Sequence, residues 1–162
     1  DSELTVLCEG DMTFRANDLD KFYSYIRHCD IVNGTRTVDQ LQNAGMQLTS
    51  FMHFGNIFVG KMLEMRHLGR CTLSDVGTTY KMCRNDALRV ILPKLSAKCI
   101  NHEFNPYFID RALEKGFDVI ECPITFHKRK GVSKGGNKNI FSAINVGMRM
   151  IRGILFGWRD RN

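Results

Sequence analysis

Apolar and polar residues alternate along the chain in blocks that predict an α/β protein. Leu4 to Cys8 is a short apolar, β-branched run closed by Glu9, Gly10 and Asp11, the pattern of a buried strand delivering two acids to its C-terminal edge. Leu19, Phe22, Tyr23 and Ile26 then keep helical spacing up to His28, behind Asn17 or Asp18 as N-cap. Asp30 to Gly34 returns as a second strand, closing a strand–helix–strand unit of parallel-sheet type. After a polar loop from Thr35 to Asn43, residues 46–65 form a long helix rich in Met and Phe, packed on the sheet. Val76 to Cys83 alternates as a strand, and Asn85 to Leu92 makes a short helix ended by Pro93. Asn105 is a good N-cap with Pro106 at the first helical position, and Gly116 stops that helix. Phe117 to Phe126 is a further strand, residues 127–136 a cationic, glycine-bearing loop, and Asn137 to Trp158 a final helix. That helix carries Ile140, Phe141, Ile144, Met148, Ile151 and Leu155 on one side.

At 162 residues, 43% hydrophobic and 25% charged, the composition suits one globular domain and excludes a disordered tail. Six cysteines, at 8, 29, 71, 83, 99 and 122, include no pair two or three apart, which excludes a zinc knuckle and a Cys-x-x-Cys redox motif. Most read as buried small hydrophobes in a reducing compartment. No basic-then-apolar leader opens the chain, and no run approaches the roughly 20 apolar residues of a membrane span, so the expectation is a soluble or peripheral protein. The net charge of +6 is uneven: residues 128–162 hold nine basic residues and one acid, whereas residues 1–127 hold fourteen and sixteen. That asymmetry calls for an anionic partner at the C-terminal end: a phosphate-bearing substrate, an acidic membrane surface or a nucleic acid.

Glu9 and Asp11 stand two apart on an extended segment, so both carboxylates face one side and can share a cation, with Gly10 leaving room for a ligand. A magnesium or manganese ion held by one or two carboxylates completes its shell with water and a diphosphate. The plain alternative is a polar strand end. Arg36 follows the second strand, where its guanidinium suits a phosphate or simply meets solvent. Asp75 opens the third strand and by itself reads as a cap or turn former. Between residues 129 and 134, Gly131 and Ser133 offer donors and Arg129 and Lys134 charge, enough to hold a phosphate. The five histidines form no ligand spacing.

Taken in order, Glu9-Gly10-Asp11, Gly34-Thr35-Arg36, Ser74-Asp75-Val76-Gly77, Glu121-Cys122-Pro123-Ile124 and Arg129-x-Gly131-x-Ser133-Lys134 resemble the family 2 glycosyltransferases of GT-A fold. The likeness is to the branch containing dolichol-phosphate mannosyltransferase and bacterial polyprenyl-phosphate glycosyltransferases, over roughly residues 4 to 157. It implies a partial GT-A sheet with flanking helices over residues 1–136, lacking the N-terminal half that cradles the nucleotide. That half would lie on the same gene or another chain. Residues 137–162 are then a basic amphipathic helix of the same domain or a membrane-interface extension. The resemblance further implies Glu9 and Asp11 as ligands of Mg2+ or Mn2+, Asp11 and Asp75 in the catalytic centre, and Arg36, Arg129, Ser133 and Lys134 as substrate-binding residues. It implies a nucleotide-sugar donor, a lipid-phosphate acceptor, and a cytoplasmic enzyme peripheral at the inner face of the membrane. Where relatives carry an acid near residue 105 to serve as general base, this chain has only Glu103 beside Asn105. A lipid phosphate is already ionised and needs no base, which favours it over a sugar hydroxyl.

Two other readings stand beside it: an inactive scaffold of the same fold, and a non-catalytic basic module binding nucleic acid through residues 128–161. No binding motif or aromatic-basic interleaving accompanies the charge, so no nucleic acid is expected. In the final helix the apolar stripe reads either as core or, with Arg149, Arg152, Trp158, Arg159 and Arg161, as a segment meeting acidic headgroups.

Overall fold

The computed structural model describes residues 2–38, 41, 50–96, 99, 101–127 and 140–158. The 128–136 loop, with Arg129, Ser133 and Lys134, lies outside the described residues, as do Arg159 and Arg161. Strands β1 (Leu4–Leu7), β2 (Ile31–Thr35), β3 (Lys81–Arg84) and β4 (Val119–Pro123) form an open mixed sheet in the order β1-β3-β2-β4. Strand β3 is antiparallel to both neighbours, whereas β2 and β4 are parallel. The two strands of the opening unit therefore run parallel without touching, because β3 is inserted between them and hydrogen-bonds to each.

Alternation along β2 sends Val32 to one face and Ile31 to the other, and each face collects its own core. Helix α1 (Leu19–Tyr25), extended at both ends by single 3-10 turns, sets Phe22 and Ile26 against Val32, Met82, Cys122 and Ile124. The opposite face carries Ile31, Cys83 and Val119 beneath the other four helices. Val59 and Leu63 come from α2 (Ser50–Arg66), Ile91 from α3 (Asn85–Ile91), Phe108 from α4 (Phe104–Glu114), and Met150 and Ile154 from α5 (Ile140–Phe156). Five of the six cysteines are buried, Cys8 is exposed, and all six are free thiols.

Several expected boundaries move for identifiable reasons. Asp18 does not cap α1: it is buried, accepts the Thr125 N–H at 3.0 Å and pairs with Lys21 at 2.5 Å, tying α1 to the chain beyond β4. Helix α4 starts two residues early, at Phe104, because Asn105 turns inward to bond the chain before β3 rather than capping. Strand β3 spans only Lys81–Arg84, since residues 74–79 are drawn out of the ladder by side chains described below.

Helix α5 corrects the expected stripe. Phe141, Ile144, Met148 and Leu155 are exposed and Ile151 half-buried, while Val146, Met150 and Ile154 face the core. Both sides of this helix are apolar, and the expected stripe is for the most part the exposed one, so its reading as core does not hold. Trp158 is buried rather than interfacial. Gly157, at φ +88°, ends α5 and lets the indole fold back against Gly153, where a Cβ would collide with the ring. The indole N–H donates to Asp110 at 2.6 Å, and the same carboxylate meets Arg66 Nε at 3.0 Å and His67 Nε2 at 2.6 Å. One buried acid within α4 thus pins the C-terminal ends of α2 and α5. Gly153→Ala should lower stability by about 2 kcal/mol through overpacking, read as an earlier midpoint in urea unfolding, and an unchanged midpoint would refute this packing.

Candidate active site

Three neighbouring strands place one polar residue each on the helix-covered face. Asn33 on β2 is in register with Lys81 on β3 and with Glu121 on β4, so the three side chains form a row across an otherwise apolar surface. Asn33 and Lys81 are fully buried, and a buried polar group without a partner costs on the order of 1–3 kcal/mol. Their partners come from residues 74–79. Glu121 accepts from Ser74 N at 2.9 Å, Ser74 Oγ at 2.6 Å and Asp75 N at 2.8 Å. Asn33 Nδ2 donates to the Asp75 carbonyl at 2.8 Å. Lys81 Nζ donates to the Thr78 carbonyl and, at 3.2 Å, to Asn105 Oδ1, whose amide nitrogen holds the Gly77 carbonyl at 3.1 Å. Burial pushes the Lys81 ammonium down to about 7, and burial likewise raises Glu121 against the N–H and hydroxyl donors that lower it.

The segment so held aims Asp75 at Arg36. The carboxylate receives Arg36 Nε at 2.6 Å, Nη2 at 2.8 Å and the backbone N–H at 3.1 Å, and Gly77 N–H at 3.0 Å. Burial works to raise the Asp75 pKa, but the charge and hydrogen bonds of Arg36 bring it below the ordinary carboxylate range. A carboxylate held this low is a weak base and a good orienting group for Arg36. Phe126 takes the face of the guanidinium at 5.4 Å from ring centroid to Cζ. A Cβ at Gly77 would stand 3.1 Å from Arg36 Nη2, so glycine leaves the fork its room.

Glu9 and Asp11 follow β1 in a turn with Met12 at φ 67°. Glu9 Oε1 accepts the Thr79 hydroxyl at 2.9 Å, and Asp11 Oδ1 accepts Thr13 N at 3.1 Å and Thr13 Oγ1 at 2.5 Å. This all-oxygen pair fits a hard divalent cation. Among the described residues no group of three or more His, Cys, Asp or Glu side chains that could hold a metal is found.

Glu9, Arg36, Gly77 and His102 form the polar end of a cavity of about 300 Å³. Its other walls are mainly apolar and come largely from α2 (Phe51, Phe58, Val59) and α5 (Ile144, Met148, Ile151), with Asn56 and Thr13 as polar exceptions. Of the sequence-predicted residues, Glu9 and Arg36 reach this cavity, Asp75 stands behind Arg36, and Asp11 lies in the turn beside it without lining the wall. Glu103 precedes α4 without capping it and has Arg149 at 3.8 Å. Sequence reasoning missed Asn33, Thr79, Lys81 and Asn105 and gave Glu121 no role of its own. Lys81 and Glu121 were visible as charges inside apolar strands, a signal that goes unnoticed without the register.

Neither any known family model nor any characterised protein matches this chain.

The folded chain releases the Lys81 proton near 7, whereas the unfolded chain keeps it to the ordinary 10.5, so between these values the unfolded state binds more protons and stability rises with pH. Lys81→Met should flatten that rise, measured by urea unfolding at about pH 7 and about pH 9. Equal slopes in both proteins would contradict the burial of a charged amine.

Proposed function

We propose that this chain is part of a metal-dependent glycosyltransferase that moves a sugar from a nucleotide-sugar donor to a polyprenyl phosphate at the cytoplasmic face of a membrane. The reading takes the four-stranded sheet as a partial GT-A sheet. The observation that carries it is the cavity, which joins an apolar channel between two helices to a polar end bearing Glu9 and Arg36. A long apolar tail with an anionic head has that same division.

In this reading Asp75 sets the plane of Arg36 and Phe126 its tilt, so the guanidinium meets a phosphate already oriented. Arg129, Ser133 and Lys134 add charge and donors from the basic loop. An acceptor phosphate oxygen attacks the anomeric carbon, the bond from that carbon to the donor diphosphate breaks, and the nucleoside diphosphate leaves with the electron pair. The acceptor phosphate is ionised near neutral pH, so no proton is removed, in keeping with the weak basicity of Asp75. A divalent cation at Glu9 and Asp11 supplies positive charge to the leaving diphosphate.

Exposed Phe54, Phe58 and Met65 on α2, and Phe141, Met148 and Phe156 on α5, lie with exposed Arg149 and Arg152 on the two helices that wall the cavity. Among the described residues no helix is long and apolar enough to cross a membrane. These groups support docking on an anionic surface through apolar insertion and basic contacts.

Two outcomes follow. In the full-length enzyme, Glu9→Gln and Asp11→Asn should each cut metal-dependent sugar transfer to polyprenyl phosphate by about 100-fold while the fold is retained, and full activity in both would sink the metal assignment. Flotation with vesicles of anionic lipid should be lost in Phe54→Glu combined with Phe141→Glu, two positions 68% and 78% exposed that the core does not need. Equal flotation of wild type and variant would remove the membrane face from this surface.

A further inference from the structure

A line of donors runs from the interior of the protein to Glu9 in one direction only. Lys81 belongs to β3, Asn105 to α4 and Thr79 to the segment before β3. A backbone carbonyl accepts and never donates, so the Gly77 carbonyl, 3.1 Å from Asn105 Nδ2, fixes which way that amide faces and leaves Oδ1 to accept from Lys81 Nζ at 3.2 Å. Turning the amide over would press its oxygen against that carbonyl. Asn105 Nδ2 therefore points at Thr79 Oγ1, at 3.2 Å, and the Thr79 hydroxyl, with a donor already aimed at its oxygen, sends its own proton to Glu9 Oε1 at 2.9 Å. Lys81 and Asn105 are 0% and 5% exposed, so water does not compete for the bond between them.

Among the described residues Lys81 makes no ion pair with a carboxylate. An apolar side chain of similar length would fill the same space without the desolvation cost of an amine, so packing alone gives no reason for lysine here. We propose that Lys81, Asn105 and Thr79 are positioning residues that orient the Glu9 carboxylate in the cavity, Thr79 by direct contact and the other two through Thr79. The inference rests on the assignment of Glu9 as a metal carboxylate.

The test titrates Mn2+ alone against the full chain, reading the free ion by its EPR signal, with thermal unfolding followed on the same samples. Thr79→Val keeps the shape and removes the hydroxyl, Thr79→Ser restores it, and Asn105→Asp keeps an acceptor for Lys81 while deleting the donor to Thr79. Thr79→Val and Asn105→Asp should weaken Mn2+ binding by about tenfold, and Thr79→Ser should stay within about twofold of wild type at a melting temperature no higher than that of Thr79→Val. The comparison of Thr79→Val with Thr79→Ser decides the matter if Asn105→Asp fails to fold. If both hydroxyl-lacking and donor-lacking variants bind Mn2+ like wild type while Glu9→Gln does not, the relay is wrong and the metal assignment stands. If Glu9→Gln also binds like wild type, the metal assignment fails and the relay falls with it.

Discussion

Two buried polar side chains, Asn33 and Lys81, and the half-buried Glu121 beside them have to find hydrogen-bond partners on an apolar sheet face, and the rest of the site follows from how they find them. Asn33, Lys81 and Glu121 could not be left bare without a cost of kilocalories each. Residues 74–79 meet that demand with backbone groups, and in doing so give up strand pairing. The carbonyls and amides consumed below leave the Asp75 carboxylate directed at Arg36. A local polar requirement in the sheet is thereby converted into the orientation of a guanidinium at the end of a cavity.

The same face explains why the cavity exists between α2 and α5. Val59 and Leu63 on one helix, and Met150 and Ile154 on the other, anchor both to the core, and the buried Asp110 fixes their ends through Arg66 and Trp158. Anchored there, the two helices turn Phe51, Phe58, Ile144 and Met148 toward the cavity and its rim. Apolar walls and a polar floor come from different parts of the chain but depend on one set of core contacts.

The sequence made the alternation of strands and helices legible, because runs such as Leu4–Leu7 and the α4 pattern ending at Gly116 carry their own periodicity and punctuation. It also placed Glu9 and Arg36 at strand ends, where the structure has them. It did not disclose the antiparallel insertion of β3, since pairing partners are set by contacts distant along the chain. Nor did it show that Asn105 acts through its side chain inside the fold: an N-cap and a buried amide are the same letter. Whether the α5 stripe is core or exposed was not legible because both faces are apolar, and only the position of α2 and α4 decides which one is covered.

The sheet order has a consequence for the way the molecule comes apart. Among the described residues β1 meets the sheet only through β3, pairing Leu4 with Arg84 and Leu7 with Lys81, and its side chains are at best half-buried. An edge strand closed over so long an intervening loop gains little from neighbours and bears a large loop-closure entropy, so it forms late and opens early. Glu9 and Asp11 follow that strand, whereas Arg36 directly follows the central strand β2 and Asp75 is held against the central strands by Asn33 and Glu121. The two halves of the site are therefore tied differently: the guanidinium half rests on the central strands, and the carboxylate half on an edge strand and on buried Thr13, whose carbonyl accepts the His127 N–H at 3.0 Å.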